Sequence, residues 1–259
     1  MELIPMKSAR YAALAVLGTV ALAAQPAGMK LDDVIKKSVD AIGGLERIKA
    51  IKSAKFSGKI ILGGGQMEAP LVAYKKRPLS NRMEISIQGQ QIVEAYDGTT
   101  KWSINPMLGS NDPQKANEED TKVAADDFDL VETPLVNYKE KGHTAELLGK
   151  EDVEGSMAYK IKLTLKNGNI QTVYLDEKSF LTVKLWTTIK GMGQEFEAES
   201  LPGNYKAVEG VMIAFSNAMR VNKQVGMQML FDKVEVNVPL EDSIFTMPEV
   251  KKVNPPKPQ

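Results

Sequence analysis

The sequence contains no cysteine and a single histidine in 259 residues. The lack of cysteine excludes disulfides, thiolate nucleophiles and the lipid-modified cysteine on which a bacterial lipoprotein anchor is built. A serine triad or a histidine-rich metal site would have to use His143. Because His143 follows Lys141-Gly142, in a context typical of the exposed start of a strand, we interpret it as a surface residue.

An excess of charge of either sign is also missing. The chain has 33 basic and 33 acidic side chains, which gives a formal net charge of +0. A strongly basic balance would favour nucleic acid or an anionic membrane surface as a partner. The composition therefore predicts no nucleic-acid partner and only transient contact with a membrane.

No apolar run is long enough to span a bilayer, which needs about 20 residues. The stretch Tyr11–Leu22 is only about a dozen residues long, follows Lys7 and Arg10, and leads into small residues. This pattern predicts a signal peptide over 1–23, cleaved after Ala23 or one residue later. The mature protein is therefore predicted to be periplasmic, exported and not lipid-anchored.

Helical periodicity is confined to the start of the mature chain. Apolar residues at helical spacing predict an amphipathic helix over 31–42 that ends at Gly43-Gly44. A second short helix is predicted to follow, with its apolar positions at Leu45, Ile48 and Ile51.

From about Phe56 to Val238 the apolar residues alternate with polar ones, as they do in strands with one buried face. We count about eleven strands, separated by turn signals such as Asn167-Gly168. The apolar parity changes after Phe231, which predicts a bulge near Asp232-Lys233. A continuous antiparallel run of this length predicts a strongly curved sheet or barrel.

One insert interrupts the alternation, over about 106–140. Asn117 is predicted to cap a short helix whose first turn is acidic. Its mixed apolar and acidic character is typical of a lid over the open mouth of a barrel. We assign 24–251 to one domain that includes this insert, and 252–259 to a disordered proline-rich tail.

Two sequence features resemble ligand or metal sites. Gly63-Gly64-Gly65 lacks the following helix of a phosphate loop, so we interpret it as a hairpin turn. The carboxylates near Glu132 lack the spacing of a calcium loop and are interpreted as a solvated acidic rim, with no metal; they are Asp126, Asp127 and Asp129. Carboxylate-only catalysis has no specific support, so no enzyme and no cofactor is predicted.

Several segments carry a resemblance to a known family. They are Asp40-Ala41-Ile42-Gly43-Gly44-Leu45, Ile48-Lys49-Ala50-Ile51-Lys52-Ser53, Ala95-Tyr96-Asp97-Gly98 with Trp102, Asn105 and Pro106, and Leu148-Gly149-Lys150-Glu151-Asp152-Val153-Glu154-Gly155 with Ala158-Tyr159-Lys160. Together they resemble the outer-membrane lipoprotein-sorting proteins of the LolA/LolB/LppX superfamily. These motifs are mostly turns and core positions, so they specify the fold better than the ligand.

The resemblance implies a mainly β fold with a helical lid. This is a strongly curved antiparallel half-barrel of about eleven strands, whose apolar concave face is covered by the N-terminal helix and the insert. It also implies binding of the acyl chains of a lipoprotein or lipid, and membrane-bound donor and acceptor proteins as partners. An arginine that bonds to the lid is implied too, with Arg77, Arg82 and Arg220 as alternatives.

The predicted function is therefore a periplasmic carrier without chemistry of its own. The alternative is an envelope scaffold or interaction protein with a packed core and no lipid ligand. The residues predicted to form the cavity and lid are Met83, Ile85, Ile87, Trp102, Phe128, Leu135, Tyr159, Ile161, Met227 and Met229.

Overall fold

The structure, a computed structural model, describes residues 28–118, 120–121, 130–191 and 194–249. The predicted signal peptide and tail lie outside these residues. The described part has two α-helices, α1 (Leu31–Ile42) and α2 (Leu45–Ala50). Neither is long and apolar enough to cross a membrane. The described strands are β1 (Ser53–Leu62), β2 (Met67–Lys76), β3 (Ser80–Ile87), β4 (Gln90–Asp97), β5 (Lys101–Asn105), β6 (Ser110–Lys115), β7 (Thr144–Val153), β8 (Ser156–Thr164), β9 (Ile170–Asp176), β10 (Thr182–Gly191), β11 (Gln194–Val208), β12 (Val211–Val221) and β13 (Gln224–Val236).

Helix α1 has the predicted bounds. Its apolar residues share one face, and Asp32 and Asp33 lie in the first turn, where carboxylates complement the positive end of the helix dipole. At the other end Gly43 has φ 133°, and its N–H donates to the carbonyl of Asp40. A side chain at this φ would be strained, so glycine ends the helix here.

The thirteen strands form one antiparallel sheet, in the order β6-β5-β4-β3-β2-β1-β13-β12-β11-β10-β9-β8-β7. The chain makes two meanders, β1 to β6 and β7 to β13, which meet where β1 pairs with β13. The sheet is curved and not closed. The predicted half-barrel is confirmed, with thirteen described strands where about eleven were predicted.

The predicted bulge lies at the pairing of β1 with β13. Ser57 pairs with Lys233 and Gly58 pairs with Phe231, so Asp232 is the extra residue. A Cβ on Gly58 would lie 2.0 Å from the carbonyl oxygen of Leu230. Glycine is therefore required for the close approach of the two backbones at this bulge.

Opposite residues in an antiparallel ladder point to the same side of the sheet. We call the side that bears Phe56, Ile60, Met229 and Ile161 the inner face. Both helices pack against it, together with a segment of turns at 130–142 that we call the roof segment. The buried residues of the roof segment are Leu130, Leu135, Val136 and Tyr138.

The opposite side, the outer face, is covered in part by residues 237–249, which we call the C-terminal strap. Trp102 donates from Nε1 to the carbonyl of Phe245 at 2.7 Å, and Met247 packs against the same cluster. Arg82 donates from Nη1 to the carbonyl of Ile244 at 2.8 Å. The outer face of β4 and β5 therefore has a packed core of its own.

The predicted insert is only partly a separate cover. It begins with a short 3-10 helix and then strand β6, which extends the sheet beyond β5. Asn117 caps the next helical turn as predicted, since its side-chain oxygen accepts from the Asp120 N–H at 2.8 Å. Residues 122–129, which include Phe128, lie outside the described residues.

Candidate functional site

A cavity of about 680 Å³ extends along the inner face from β3 to β9. Residues 130–134 of the roof segment line it on the side of the helices. Its apolar side chains come from both meanders and from α1, because the cavity crosses the pairing of β1 with β13; they include Ile42, Phe56, Ala73, Met83, Leu185, Ala198, Ile213, Met219, Met229 and Phe231. A cavity of this size and lining is suited to an apolar ligand.

The structure divides the predicted site residues among several places. Met83 and Met229 line the cavity. Their neighbours Ile85, Ile87 and Met227 form an apolar cluster with them on the inner face. All five lie on β3 or β13, on the side of the cavity away from α1.

The other predicted residues do not line the cavity. Tyr159, Ile161 and Leu135 are buried beneath α1, in a solid core shared by β8, β9 and the roof segment. Trp102 lies on the outer face, under the C-terminal strap. Alternation placed it on a dry face, which at β5 is the outer one. Phe128 lies outside the described residues.

Sequence reasoning missed the polar groups within the cavity wall. Ser200 donates from Oγ to the side-chain oxygen of Asn217 at 2.8 Å, and both residues line the cavity. Tyr205 donates to the carbonyl of Thr182 at 2.9 Å, and burial raises the pKa of its phenol well above the usual value. These neutral groups sit on β10 to β12, and charged side chains line the cavity on β2 to β4.

An ion pair fastens the roof segment. Arg77, just after β2, donates from Nη2 to both carboxylate oxygens of Glu132, at 2.8 and 3.0 Å, and from Nε to the carbonyl of Ile51 at 2.9 Å. The Glu132 side chain is 6% exposed. A carboxylate so deeply buried needs such a partner. The three aspartates of the predicted acidic rim lie outside the described residues.

Two opposing effects set the protonation of Glu132. Burial raises the pKa of its carboxyl, whereas the N–H of Val131 and the charge of Arg77 lower it. The balance holds the pKa below its ordinary value of 4.5. Glu132 is therefore ionised at neutral pH, and its ion pair with Arg77 is intact.

This lowered pKa predicts a pH dependence. A carboxyl whose folded pKa is depressed stabilises the fold above its unfolded pKa, near 4.5, and loses that contribution as the pH falls through the folded value. We expect the free energy of unfolding to fall less steeply below pH 4.5 in Glu132→Gln than in the unchanged protein. Urea unfolding between pH 3 and 7 measures both slopes, and other acids contribute equally to each. Parallel profiles would contradict the assignment.

A second, smaller cavity of about 350 Å³ lies beside the ion pair. It is bounded by the end of α2, by Arg77 and by residues 132–141 of the roof segment. Glu132 and Lys141 line both cavities, so the two spaces adjoin there. The lining of the smaller cavity carries four cations and two carboxylates: Lys49, Lys52, Arg77 and Lys141, with Glu132 and Glu140.

The single histidine has a structural place. His143 is buried, and its Nδ1 accepts from the N–H of Lys166 at 3.0 Å. The prediction of a surface residue was wrong, because the roof segment and the turn after Leu165 cover the start of β7. Among the described residues no three potential metal ligands come together.

Comparison with known proteins identifies the fold but does not identify a ligand. No protein-family model matches the sequence, and no curated protein is similar to it. A solved domain from Vibrio parahaemolyticus, named as an outer membrane lipoprotein-sorting protein, superposes with a TM-score of 0.54 at 15% identity, over 82% of this chain and 97% of its own. A LolA superfamily protein from Nitrosomonas europaea superposes with 0.54 at 14% identity, over 82% and 96%.

A third solved structure has the same relation to this chain. It is a DUF1329 family protein from Desulfovibrio piger, with a TM-score of 0.54 at 13% identity, over 83% of this chain and 96% of its own. All three matches cover nearly the whole of the neighbouring chain. The chain therefore has a LolA-like fold.

Proposed function

We propose that the protein is an exported, non-catalytic carrier that binds the acyl chains of a lipoprotein or lipid in the cavity of the inner face. The observation that carries this proposal is the 680 Å³ apolar cavity between the sheet and the roof segment. The LolA-like fold agrees with it, since two of the superposed structures are named for lipoprotein sorting or for the LolA superfamily.

The energetics fit one or two acyl chains. Each buried methylene contributes about 0.8 kcal/mol, so about ten methylenes contribute about 8 kcal/mol before the cost of association is subtracted. A longer chain, or a second chain, adds to this gross energy in proportion, and the cost of association keeps the binding reversible. Release would be to a membrane-bound acceptor, after delivery by a membrane-bound donor, with the protein working in the periplasm.

The roof segment and the insert before it would form the lid of such a carrier. Of the three candidate arginines, Arg82 bonds to Glu84 and the C-terminal strap, and Arg220 pairs with Glu154 on a turn. Arg77 is the one that reaches the roof segment, through Glu132. We infer that Arg77 is the arginine that holds the lid.

A matched pair of truncations separates the cavity from the core. Met229→Ala is expected to cost less than about 1.5 kcal/mol of stability, because this partly buried side chain faces the cavity and has few packing partners to lose. It is expected to change the affinity for a fluorescent fatty acid several-fold. Ile161→Ala is expected to cost about 2–5 kcal/mol and to leave the affinity unchanged, because Ile161 is fully buried in a solid core.

Urea unfolding and fluorescence titration of both variants supply the four values needed. If the unchanged protein binds no fatty acid and Met229→Ala is as destabilising as Ile161→Ala, the inner face is an ordinary core. That result would favour the scaffold hypothesis.

A further inference from the structure

The smaller cavity concentrates positive charge that the protein itself does not neutralise. Within the described residues, neither Lys49 nor Lys52 forms an ion pair, and the Lys52 ammonium donates to the carbonyl of Lys49 at 2.8 Å. Elsewhere on the surface lysines pair with carboxylates, as in Lys36 with Asp40 and Lys59 with Glu68. Lys49 and Lys52 are thus available to an external anion.

Arg77 adds a donor of the right kind. Its Nε and Nη2 groups are used by Ile51 and Glu132, whereas Nη1 donates to no group among the described residues. A guanidinium edge beside two ammonium groups matches the oxygens of a phosphate or a carboxylate. Since Glu132 is already paired with Arg77, the net charge of the other side chains that line the cavity is positive.

The position of this charge matters as much as its sign. The small cavity adjoins the apolar cavity at Glu132 and Lys141, which line both. A molecule with its chain in the larger space would have its head group at the smaller one. The geometry points to an anionic head group, phosphate or carboxylate, on the amphiphile that this protein carries, bound by Lys49, Lys52 and Arg77.

This inference rests on the proposed carrier function and adds the class of ligand to it. The test uses two lipids with the same acyl chain, lysophosphatidylglycerol, which is anionic, and lysophosphatidylcholine, which is zwitterionic. Calorimetric titration of the full chain at low salt is expected to show about five- to tenfold tighter binding of the anionic lipid. The preference is expected to shrink at 0.5 M salt, because salt at that concentration screens the attraction between charges over about a few ångströms.

The variant Lys49→Gln with Lys52→Gln is expected to remove most of this preference, with a smaller effect on lysophosphatidylcholine, because its choline cation offsets the charge of its phosphate. Lys59→Gln with Lys233→Gln is the matched control, because it removes the same charge from the outer face of β1 and β13. Arg77 is left in place, since its ion pair with Glu132 supports the roof segment.

Each result has a distinct meaning. Equal binding of both lipids, insensitive to the two lysines, would overturn the head-group site and leave the carrier function standing. No binding of either lipid would overturn the carrier function itself. Inorganic phosphate alone is expected to bind at least a hundredfold more weakly than lysophosphatidylglycerol; phosphate binding as tight as the lipid would assign the cavity to a free anion and overturn the inference.

Discussion

Arg77→Met is expected to destabilise the protein by about 3–5 kcal/mol at neutral pH. The substitution removes the partner of a carboxylate whose side chain is 6% exposed, and it also removes the bonds that join β2 to the end of α2. The hydrophobic replacement keeps most of the volume. The loss of stability is therefore caused by the unpaired charge of Glu132 more than by a loss of packing.

The pH dependence of this variant should differ from that of the unchanged protein. Without Arg77, burial dominates and the pKa of Glu132 is expected to rise above its ordinary value. A carboxyl with a raised folded pKa loses stability as the pH rises through that value. Urea unfolding at pH 5 and pH 7 should thus find the variant less impaired at the lower pH.

The control is the double variant Arg77→Met with Glu132→Gln. Removing both charges is expected to recover much of the loss, because the cost lies in leaving one charge buried alone. Lys36→Met, at an exposed pair on α1, should leave the free energy of unfolding almost unchanged, because solvent screens that pair. An equally small cost for Arg77→Met would mean that the ion pair does not hold the roof segment.

Gly58→Ala is the second substitution with a large expected effect, a loss of about 3–5 kcal/mol or failure to fold. The new methyl would lie 2.0 Å from the carbonyl oxygen of Leu230 and 2.7 Å from the Cα of Phe231. Both are backbone atoms in a paired strand, so neither can move without breaking the ladder between β1 and β13. Thermal or urea unfolding measures the loss.

Gly226→Ala is the matched control for this substitution. It lies on β13 too, and its added methyl would meet its nearest neighbour, the carbonyl oxygen of Met219, at 3.9 Å, an ordinary contact. We expect a change within about 1 kcal/mol. If both variants were equally stable, the close approach at the bulge would not constrain the sequence.

Periodicity predicted the parts of the fold in which one face is wet. The bounds of α1 and the bulge at Asp232 were both predicted correctly, because apolar spacing reports the buried face wherever only one face is buried. Strand β6 was missed since its sequence, from Ser110 to Lys115, has no alternation. An edge strand with both faces exposed carries no such signal.

The same reasoning explains what was missed at the site. Trp102 was given to the cavity because alternation separates the two faces without saying which one is inner, and the C-terminal strap buries the outer face there. The pairing of Arg77 with Glu132 joins residues 55 positions apart and leaves no periodic trace. Only the fold brings the two residues together.

The order of the strands has a consequence for how the molecule assembles. Within each meander every strand pairs with its neighbour in sequence, so those contacts close short loops at little entropic cost. The pairing of β1 with β13, in the middle of the sheet, joins the first and the last described strand of the chain. Contacts between residues far apart in the sequence form slowly, so this ladder should form late, after the two meanders have each formed. Gly58 lies in that ladder, and it is the described glycine at which an added methyl would come closest to another atom. Its lack of a side chain is therefore needed at the folding step that joins the two meanders.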